Sequence, residues 1–283
     1  MKRPPEIMQE IDGMHTLSDI TSVFEGIASM RISQIKNQVL NSKSFFDRLW
    51  QMYTQIRAGE AFNFGHHVSK EGVIDKELFI AITAEGGFSG DIDRKLIHWM
   101  LKSYDKSKND IIVIGHHGAL QLAQRGIGFV KYFKLPAKDQ NINVDVLGKE
   151  VEKYRATSVF YQTYVSLTVQ DVKRINLNLA VLDKGRNVAK STEVINEATY
   201  IFEPSTFAVV DHLERSMTKV MLSQLILESK LAQYASRFQA MSAAHTRSKD
   251  ALSDLRTSYN RSIRKTKDER LKEIINGLRK AHA

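Results

Sequence analysis

Cysteine is absent from the 283 residues. That excludes a disulfide framework, a thiolate metal site and a thiol nucleophile. Proline is scarce, with only Pro4, Pro5, Pro136 and Pro204. No apolar stretch approaches the roughly 18–20 residues that span a bilayer as a helix. Met1 to Glu10 carries charge and two prolines but no apolar core, so it is not expected to act as a secretory signal. What is present argues for a folded chain: 42% hydrophobic residues with both signs of charge interspersed. The length suffices for one large domain or two modest ones. The formal charge of +9 calls for a partner of opposite sign.

The positions of the prolines say more than their number. From Ser205 to Ala283 there is none, and the only glycine is Gly277. Glu203-Pro204-Ser205 forms a helix start, with Ser205 or Thr206 as the cap and Asp211 and Glu214 in the early turns. Every seventh residue from Met217 gives Met217, Gln224, Leu231, Phe238, His245, Leu252 and Tyr259. The interleaved series gives Val220, Leu227, Tyr234, Met241, Ser248 and Leu255, and ten of these thirteen are apolar or aromatic. Such a 3-4 repeat implies a left-handed coiled-coil seam, with Leu227, Leu231, Tyr234, Phe238, Met241, Leu252, Leu255 and Tyr259 as its expected members. Beyond it the stripe continues, with altered spacing, through Ile263, Leu271, Ile274, Ile275 and Leu278. A helix of this extent would be about 110 Å long, far more than a globular core can bury.

At the other terminus, Ile7 to about Arg57 is again free of proline and carries an apolar stripe. The spacing predicts one helix, or two shorter ones broken near Asn41-Ser42. Two long terminal helices suggest an antiparallel coiled coil closed by the segment between them. That segment, from about Gly72 to Pro204, has a different period. Strands are predicted at Leu78–Thr83, Asp110–Gly115 and Gly128–Phe133, separated by helical spacing at 92–102 and 119–125. A helix is predicted from Val144 to about Val165, then strands at Arg174–Leu182 and Thr199–Phe202. Alternating elements of this kind make an open, mostly parallel α/β sheet. The stretch from Ala58 to Gly72 is the expected linker.

Catalytic signals are weak. The loop Glu85-Gly86-Gly87-Phe88-Ser89-Gly90 follows a strand and precedes a helix, where phosphate loops sit. It lacks the Gly-Lys-Ser/Thr ending and the dinucleotide fingerprint, so a structural turn is favoured. His66-His67 and His116-His117 are poor metal chelators, because neighbouring strand residues point to opposite sides. His245 on the seam is expected to fix register. No catalytic, cofactor or metal residues are assigned. The charge is concentrated: Arg256 to Lys280 holds nine basic residues against Asp268, Glu269 and Glu273. Only Tyr259 is interleaved, so an acidic protein surface fits better than nucleic acid.

Several short patterns, in order, resemble the gamma subunit of F-type ATP synthases. Ile20-Thr21 with Ala28 and Arg31 is similar to its N-terminal signature. Ile82-Thr83-Ala84-Glu85-Gly86-Gly87-Phe88-Ser89-Gly90 is similar to its Ile-Thr-Ser-Asp-Arg-Gly-Leu-Cys-Gly loop, and Phe202-Glu203-Pro204 to its Tyr-Glu-Pro. Arg237-Phe238-Gln239-Ala240-Met241 resembles Arg-Met-x-Ala-Met, while Tyr259-Asn260-Arg261, Leu271, Glu273-Ile274-Ile275 and Gly277 follow the C-terminal signature. Departures include Ser22-Val23-Phe24 for Lys-Ala-Met, Glu25 at a usually basic position, Ala232-Gln233 for Ser-Glu, Ile263-Arg264 for Arg-Gln, and Lys267-Asp268-Glu269-Arg270 for Ile-Thr-x-Glu.

The resemblance implies an α+β protein: an antiparallel coiled coil of residues 1–58 and 205–283 around a Rossmann-like α/β domain at 72–204. It implies a non-catalytic rotating central stalk, without a cofactor or bound nucleotide of its own. Its partners would be the hexamer of alpha and beta subunits, an epsilon-type subunit and the membrane ring of ion-carrying c subunits. Ile20, Phe24, Arg256, Arg261, Arg264, Lys265 and Arg270 would face the alpha/beta collar. The chain would lie peripherally on the cytoplasmic face of a bacterial plasma membrane, or on the matrix side of an organelle membrane. Two other functions fit the residues alone: a coiled-coil scaffold unrelated to ATPases, and a nucleotide- or phosphate-binding α/β enzyme using Gly86–Gly90.

Overall fold

The computed structural model describes residues 2–57, 73–135, 143–186 and 201–281. The expected linker Ala58–Gly72, and with it His66-His67, lies outside the described residues, as do Thr199 and Tyr200. Two long helices flank a sheet domain: α1 spans Pro4–Arg57 and α6 spans Thr206–Ala281. Prolines in the first turn of α1 remove only amides that have no helical partner. The Glu6 carboxylate accepts from the Arg3 N–H at 3.1 Å, as an N3 residue reaching back to its cap does. No break occurs at Asn41-Ser42; α1 is continuous there. At the start of α6 the Ser205 hydroxyl accepts the Ala208 N–H at 3.2 Å, which makes Ser205 the cap.

Between the helices run β1 (Ile74–Ile82), α2 (Ile92–Lys102), β2 (Asn109–Ile114), α3 (His116–Gln124), β3 (Lys131–Phe133), α4 (Asp145–Val151), β4 (Tyr154–Tyr164), β5 (Gln170–Asn176) and α5 (Leu177–Arg186). The five strands lie in the order β3-β2-β1-β4-β5. The first four are parallel and β5 is an antiparallel edge. Three predicted elements are corrected. The helix expected across Val144–Val165 is instead α4 followed by β4. The strand expected at Arg174–Leu182 ends at Asn176, where the side chain accepts the Leu179 N–H at 3.3 Å and starts α5. Ile201 and Phe202, expected in a strand, have no regular structure.

By contact density the chain forms two compact units, Ser29–Arg237 and Met1–Ala28 with Phe238–Ala283, so each long helix contributes to both. In the larger unit the sheet is buried on both faces, as parallel sheets are. Leu78, Ile80 and Ile82 of β1 face one way, onto Phe46, Trp50 and Tyr53 of α1 and the first turns of α6, including Val210, Met217 and Met221. Phe79 and Ala81 face the other way, onto Leu96, Ile97 and Met100 of α2 and Leu122 of α3. The long helices run antiparallel here. Tyr53 donates its hydroxyl proton to Glu214 Oε1 at 2.9 Å, while Gln38, Asn41 and Phe45 share a cavity of about 410 Å³ with Val220, Ser223 and Leu227.

In the smaller unit the helices are again antiparallel: Ser262 meets the carbonyl of Lys2, Leu252 packs with Ile7 and Ile11, and His245 meets Ser18.

Candidate functional site

In an open α/β sheet the crevice for ligands lies beyond the carboxyl ends of the strands where the chain order reverses. Here that point lies between β1 and β4, because the chain proceeds outward from β1 to β2 and β3, then crosses to β4 and β5. The residues at this point are polar and buried. Asp93, in the first turn of α2, is 2% exposed; Gln162, near the end of β4, is 0% exposed.

A buried carboxylate is costly unless its oxygens are saturated with donors. Asp93 accepts the Gln162 Nε2–H at 2.8 Å, the Ala84 N–H at 3.3 Å and the His117 Nδ1–H at 3.1 Å. Its bond to His117 raises the imidazole pKa above the ordinary 6.5, against the opposing effects of burial and of Arg237. His116 and His117 do not lie on a strand, as the sequence suggested, but open α3. Only the second points inward to Asp93; the amide of the first donates to Glu85 Oε2 at 3.3 Å. Among the described residues no three metal-binding side chains converge.

The other end of Gln162 meets helix α6. Its Oε1 accepts from the Ser229 hydroxyl and from Gln233 Nε2, the latter at 3.2 Å, and Gln233 also donates to Ser229 Oγ at 3.1 Å. One residue along β4, Thr163 donates to Glu228 Oε1 at 2.6 Å. Two turns further along α6, Ser236 Oγ donates to the carbonyl of Ser89 at 2.7 Å. Arg237 donates from Nε to the Gly87 carbonyl at 3.1 Å and from Nη2 to the Gly86 carbonyl at 3.2 Å. Burial lowers the proton affinity of this guanidinium, which also lies 5.2 Å from the Tyr234 ring centroid.

The glycine loop after β1 therefore turns carbonyls, not amides, toward its occupant, and the occupant is an arginine of the same chain. An anion needs the opposite polarity. This favours the structural turn over the phosphate loop. Gly90, at φ +65°, sits where a Cβ would come within 3.3 Å of Ser236 Oγ, so the loop's close approach to α6 uses its lack of a side chain.

Sequence periodicity did not single out this polar face. It lies at Ser229, Gln233, Ser236 and Arg237, spaced four, three and one, which places them on one side of the helix. A run of small hydroxyl and amide residues at that spacing, within an otherwise apolar stretch, was the available signal.

The expected seam residues are placed as follows. Leu227, Leu231, Met241 and Leu252 are buried; Tyr234, Phe238, Leu255 and Tyr259 are half-buried. Leu255 and Tyr259 pack with Met14 against Ile7, Ile11 and Leu252. Of the expected collar contacts, Arg256, Arg261, Arg264, Lys265 and Arg270 are exposed, Ile20 is 46% exposed and Phe24 is half-buried. The seat on the sheet and the basic stretch thus belong to different compact units. Past Ser262 the apolar row Leu271, Ile274, Ile275 and Leu278 is exposed by 43–59%. No helix among the described residues is long and apolar enough to cross a membrane.

The family model for ATP synthase matches residues 5–279. The ATP synthase gamma chain of Halothermothrix orenii is 22% identical over 289 residues, covering 98% of each chain. That of Chlorobium limicola is 23% identical over 284 residues, covering 96% of each. Among solved structures, a chain of the Euglena gracilis mitochondrial ATP synthase in rotational state 3 superposes with a TM-score of 0.69 at 14% identity, over 99% of this chain and 95% of that one. A chain of the Tetrahymena thermophila mitochondrial ATP synthase central stalk and c-ring superposes with 0.56 at 15% identity, over 80% and 99%. With both long helices and the sheet domain inside the matched span, the chain belongs to the ATP synthase family, with gamma chains as its relatives and a fold shared with ATP synthase central stalks.

Proposed function

We propose that this chain is the rotating central stalk of an F-type ATP synthase, a non-catalytic subunit that carries rotation between an ion-carrying ring and the nucleotide sites of an alpha/beta hexamer. The observation that carries the proposal is the family match from residue 5 to residue 279, which covers both long helices as well as the sheet. The geometry supports it: at the ligand crevice of the sheet Gln162, Ser229, Gln233 and Arg237 bond to one another and to the glycine loop, which weighs against the enzymatic alternative. ATP binds on the hexamer, not here.

The last stretch of α6 suits a bearing. Its basic residues are exposed, so their contacts with an acidic collar are solvated, screened and individually worth about 0–1 kcal/mol. Many weak contacts hold a shaft without trapping it at one angle. Ile20, Phe24, Arg256, Arg261, Arg264, Lys265 and Arg270 face the alpha and beta subunits. The sheet domain faces the epsilon-type subunit and the c ring. The complex holds the chain peripherally at the membrane, on the cytoplasmic face in a bacterium or the matrix side in an organelle.

The test is co-purification of the tagged chain from its native cell. Alpha-, beta- and c-type ATP synthase subunits are expected in the eluate. Recovery of the chain without alpha and beta subunits sinks the proposal and favours an unrelated scaffold.

A further inference from the structure

A helix packed on a sheet through apolar contacts alone has several neighbouring settings of similar energy, because dispersion and burial are not directional. Hydrogen bonds are directional, weakening steeply off line. In the larger unit α6 meets the sheet in both ways. Val210, Met217 and Met221 supply apolar area; Ser229, Gln233, Ser236 and Arg237 supply directional bonds to β4 and to the loop after β1. The centre of the directional set is Gln162. Its amide N–H is used on the Asp93 carboxylate and its carbonyl oxygen on Ser229 and Gln233. A side-chain amide is long and planar, with its donor and its acceptor on separate atoms, so it can join an acceptor on one side to two donors on the other. Asp93, in turn, is held by the Ala84 amide and by His117. The path from α3 through α2 and β4 to α6 is unbroken and lies almost wholly out of water.

We propose that Asp93 and Gln162 are positioning residues that fix the rotational setting of α6 on the sheet, so that torque passes between them without slip. The proposal deepens the central-stalk reading and rests on it. Buried polar groups are best attested as devices for registry of this kind, at some cost in stability.

The experiment compares the wild-type chain with two variants, each in the full chain and in the reconstituted ATP synthase. The first, Gln162→Leu with Ser229→Ala and Gln233→Met, converts the seat to apolar contact. The second, Asp93→Asn with Gln162→Glu, exchanges the carboxylate and the amide while keeping the bonds. The amide introduced on α2 then donates to the carboxylate introduced on β4, which accepts from Ser229 and Gln233. The apolar variant is expected to melt below wild type, because Asp93 stays buried without the Gln162 donor, so all readouts are taken well below its melting temperature. Its ions pumped per ATP should fall at least threefold, and backbone hydrogen exchange at Ser229–Arg237 should rise at least tenfold. The exchanged pair is expected to restore both readouts. Unchanged coupling and exchange in the apolar variant overturn the proposal, as does a swapped pair that stays uncoupled although folded.

Should the apolar variant fail to fold, Ser229→Ala alone decides: a measurable rise in exchange at Gln233–Arg237 supports the positioning role, and none refutes it. A wild-type chain that does not assemble with alpha and beta subunits refutes the stalk reading instead, while the exchange measurements on the full chain still judge the positioning role of Asp93 and Gln162.

Discussion

The two compact units differ in how far their hydroxyl and amide side chains reach. In the larger one Thr54, Thr218 and Ser103 bond carbonyls of their own helices, but others reach across elements: Gln162 to α6 and α2, Thr163 to Glu228, Ser236 to the loop after β1. In the smaller one they mostly fold back onto their own helix. Thr21 Oγ1 bonds the carbonyls of Leu17 and Ser18, Ser248 that of Ala244, Thr257 that of Ser253 and Thr266 that of Ser262. The exceptions among the described residues are Ser18, whose hydroxyl meets His245 Nδ1 at 3.3 Å, and Ser262, which donates to the carbonyl of Lys2. Back-bonded hydroxyls satisfy burial without gripping a neighbour. The difference separates a contact built to hold one setting from one that tolerates adjustment, and the smaller unit's short apolar cluster agrees with that.

The largest effect is expected where the sheet region has no slack. Gly115 has φ +97°, and a Cβ there would lie 2.0 Å from the Thr83 carbonyl oxygen, a rigid backbone atom. Gly115→Ala combines an unfavourable backbone conformation with a clash and should cost more than about 3 kcal/mol. Chemical denaturation followed by Trp50 and Trp99 fluorescence measures it. A loss under about 1 kcal/mol would mean that the junction of β2 and α3 yields far more than its packing suggests.

Next come equivalent truncations in the two units. Phe46 is fully buried and stacks on Trp50 with a centroid separation of 6.4 Å, so Phe46→Ala should cost about 3–5 kcal/mol. Ile11 is also buried, but in a cluster of three with half-buried neighbours, and Ile11→Ala should fall near or below about 2 kcal/mol. Equal losses would erase the contrast. Smaller still is the comparison of hydroxyls. Ser229→Ala removes a donor from Gln162 and should cost about 1–2 kcal/mol. Ser248→Ala removes only a bond to its own helix and gains helix propensity, so its effect should be within about 0.5 kcal/mol of zero.

How much of this was legible beforehand depended on punctuation. The long helices announced themselves by the absence of proline, and β1 and β2 by short apolar runs ending in glycine. β4 was hidden because no proline or glycine separates it from α4, and Val144, Leu147, Val151 and Tyr154 continue a helical spacing into it. The β-branched and aromatic residues Thr157, Val159, Phe160, Tyr161 and Thr163 were the contrary signal. The strand before α5 was overextended for the reverse reason: alternation in Asn176, Leu177, Asn178 and Leu179 runs on past the cap. The seat was invisible to heptad counting, since Ser229, Gln233 and Ser236 fall between the seam positions. Burial of a polar helix face is a tertiary fact, set by what the sheet presents to it.

His117 gives a pH handle on the same contrast. Its pKa is raised in the folded chain by the bond to Asp93, so the folded state holds this proton more tightly than the unfolded one. Its stabilising contribution is therefore complete below about pH 6.5, the unfolded value, and is lost as pH rises through the folded value. With the ring about a third exposed, solvent screening keeps the effect small. His117→Gln should flatten this part of the stability–pH curve above about pH 6.5 while retaining a donor toward Asp93. An unchanged slope would show that the pair does not couple to folding.

The smallest expected change in stability is at the basic end, where the stalk proposal places the contact with the collar. Arg261, Arg264 and Arg270 are exposed, and none forms an ion pair among the described residues. Replacing all three with alanine should shift folding free energy by no more than about 0.5 kcal/mol. A chain that loses nothing in fold can still lose a bearing, because the stalk proposal sets these residues against an acidic surface of another subunit. ATP-driven ion pumping by the reconstituted complex should fall in the triple variant, and the deficit should narrow as salt is added to the wild type, since screening removes the same attraction. Unchanged coupling at low salt would reduce the arginine stretch to a solvated helix face and shift the burden of contact to the exposed row Leu271, Ile274, Ile275 and Leu278.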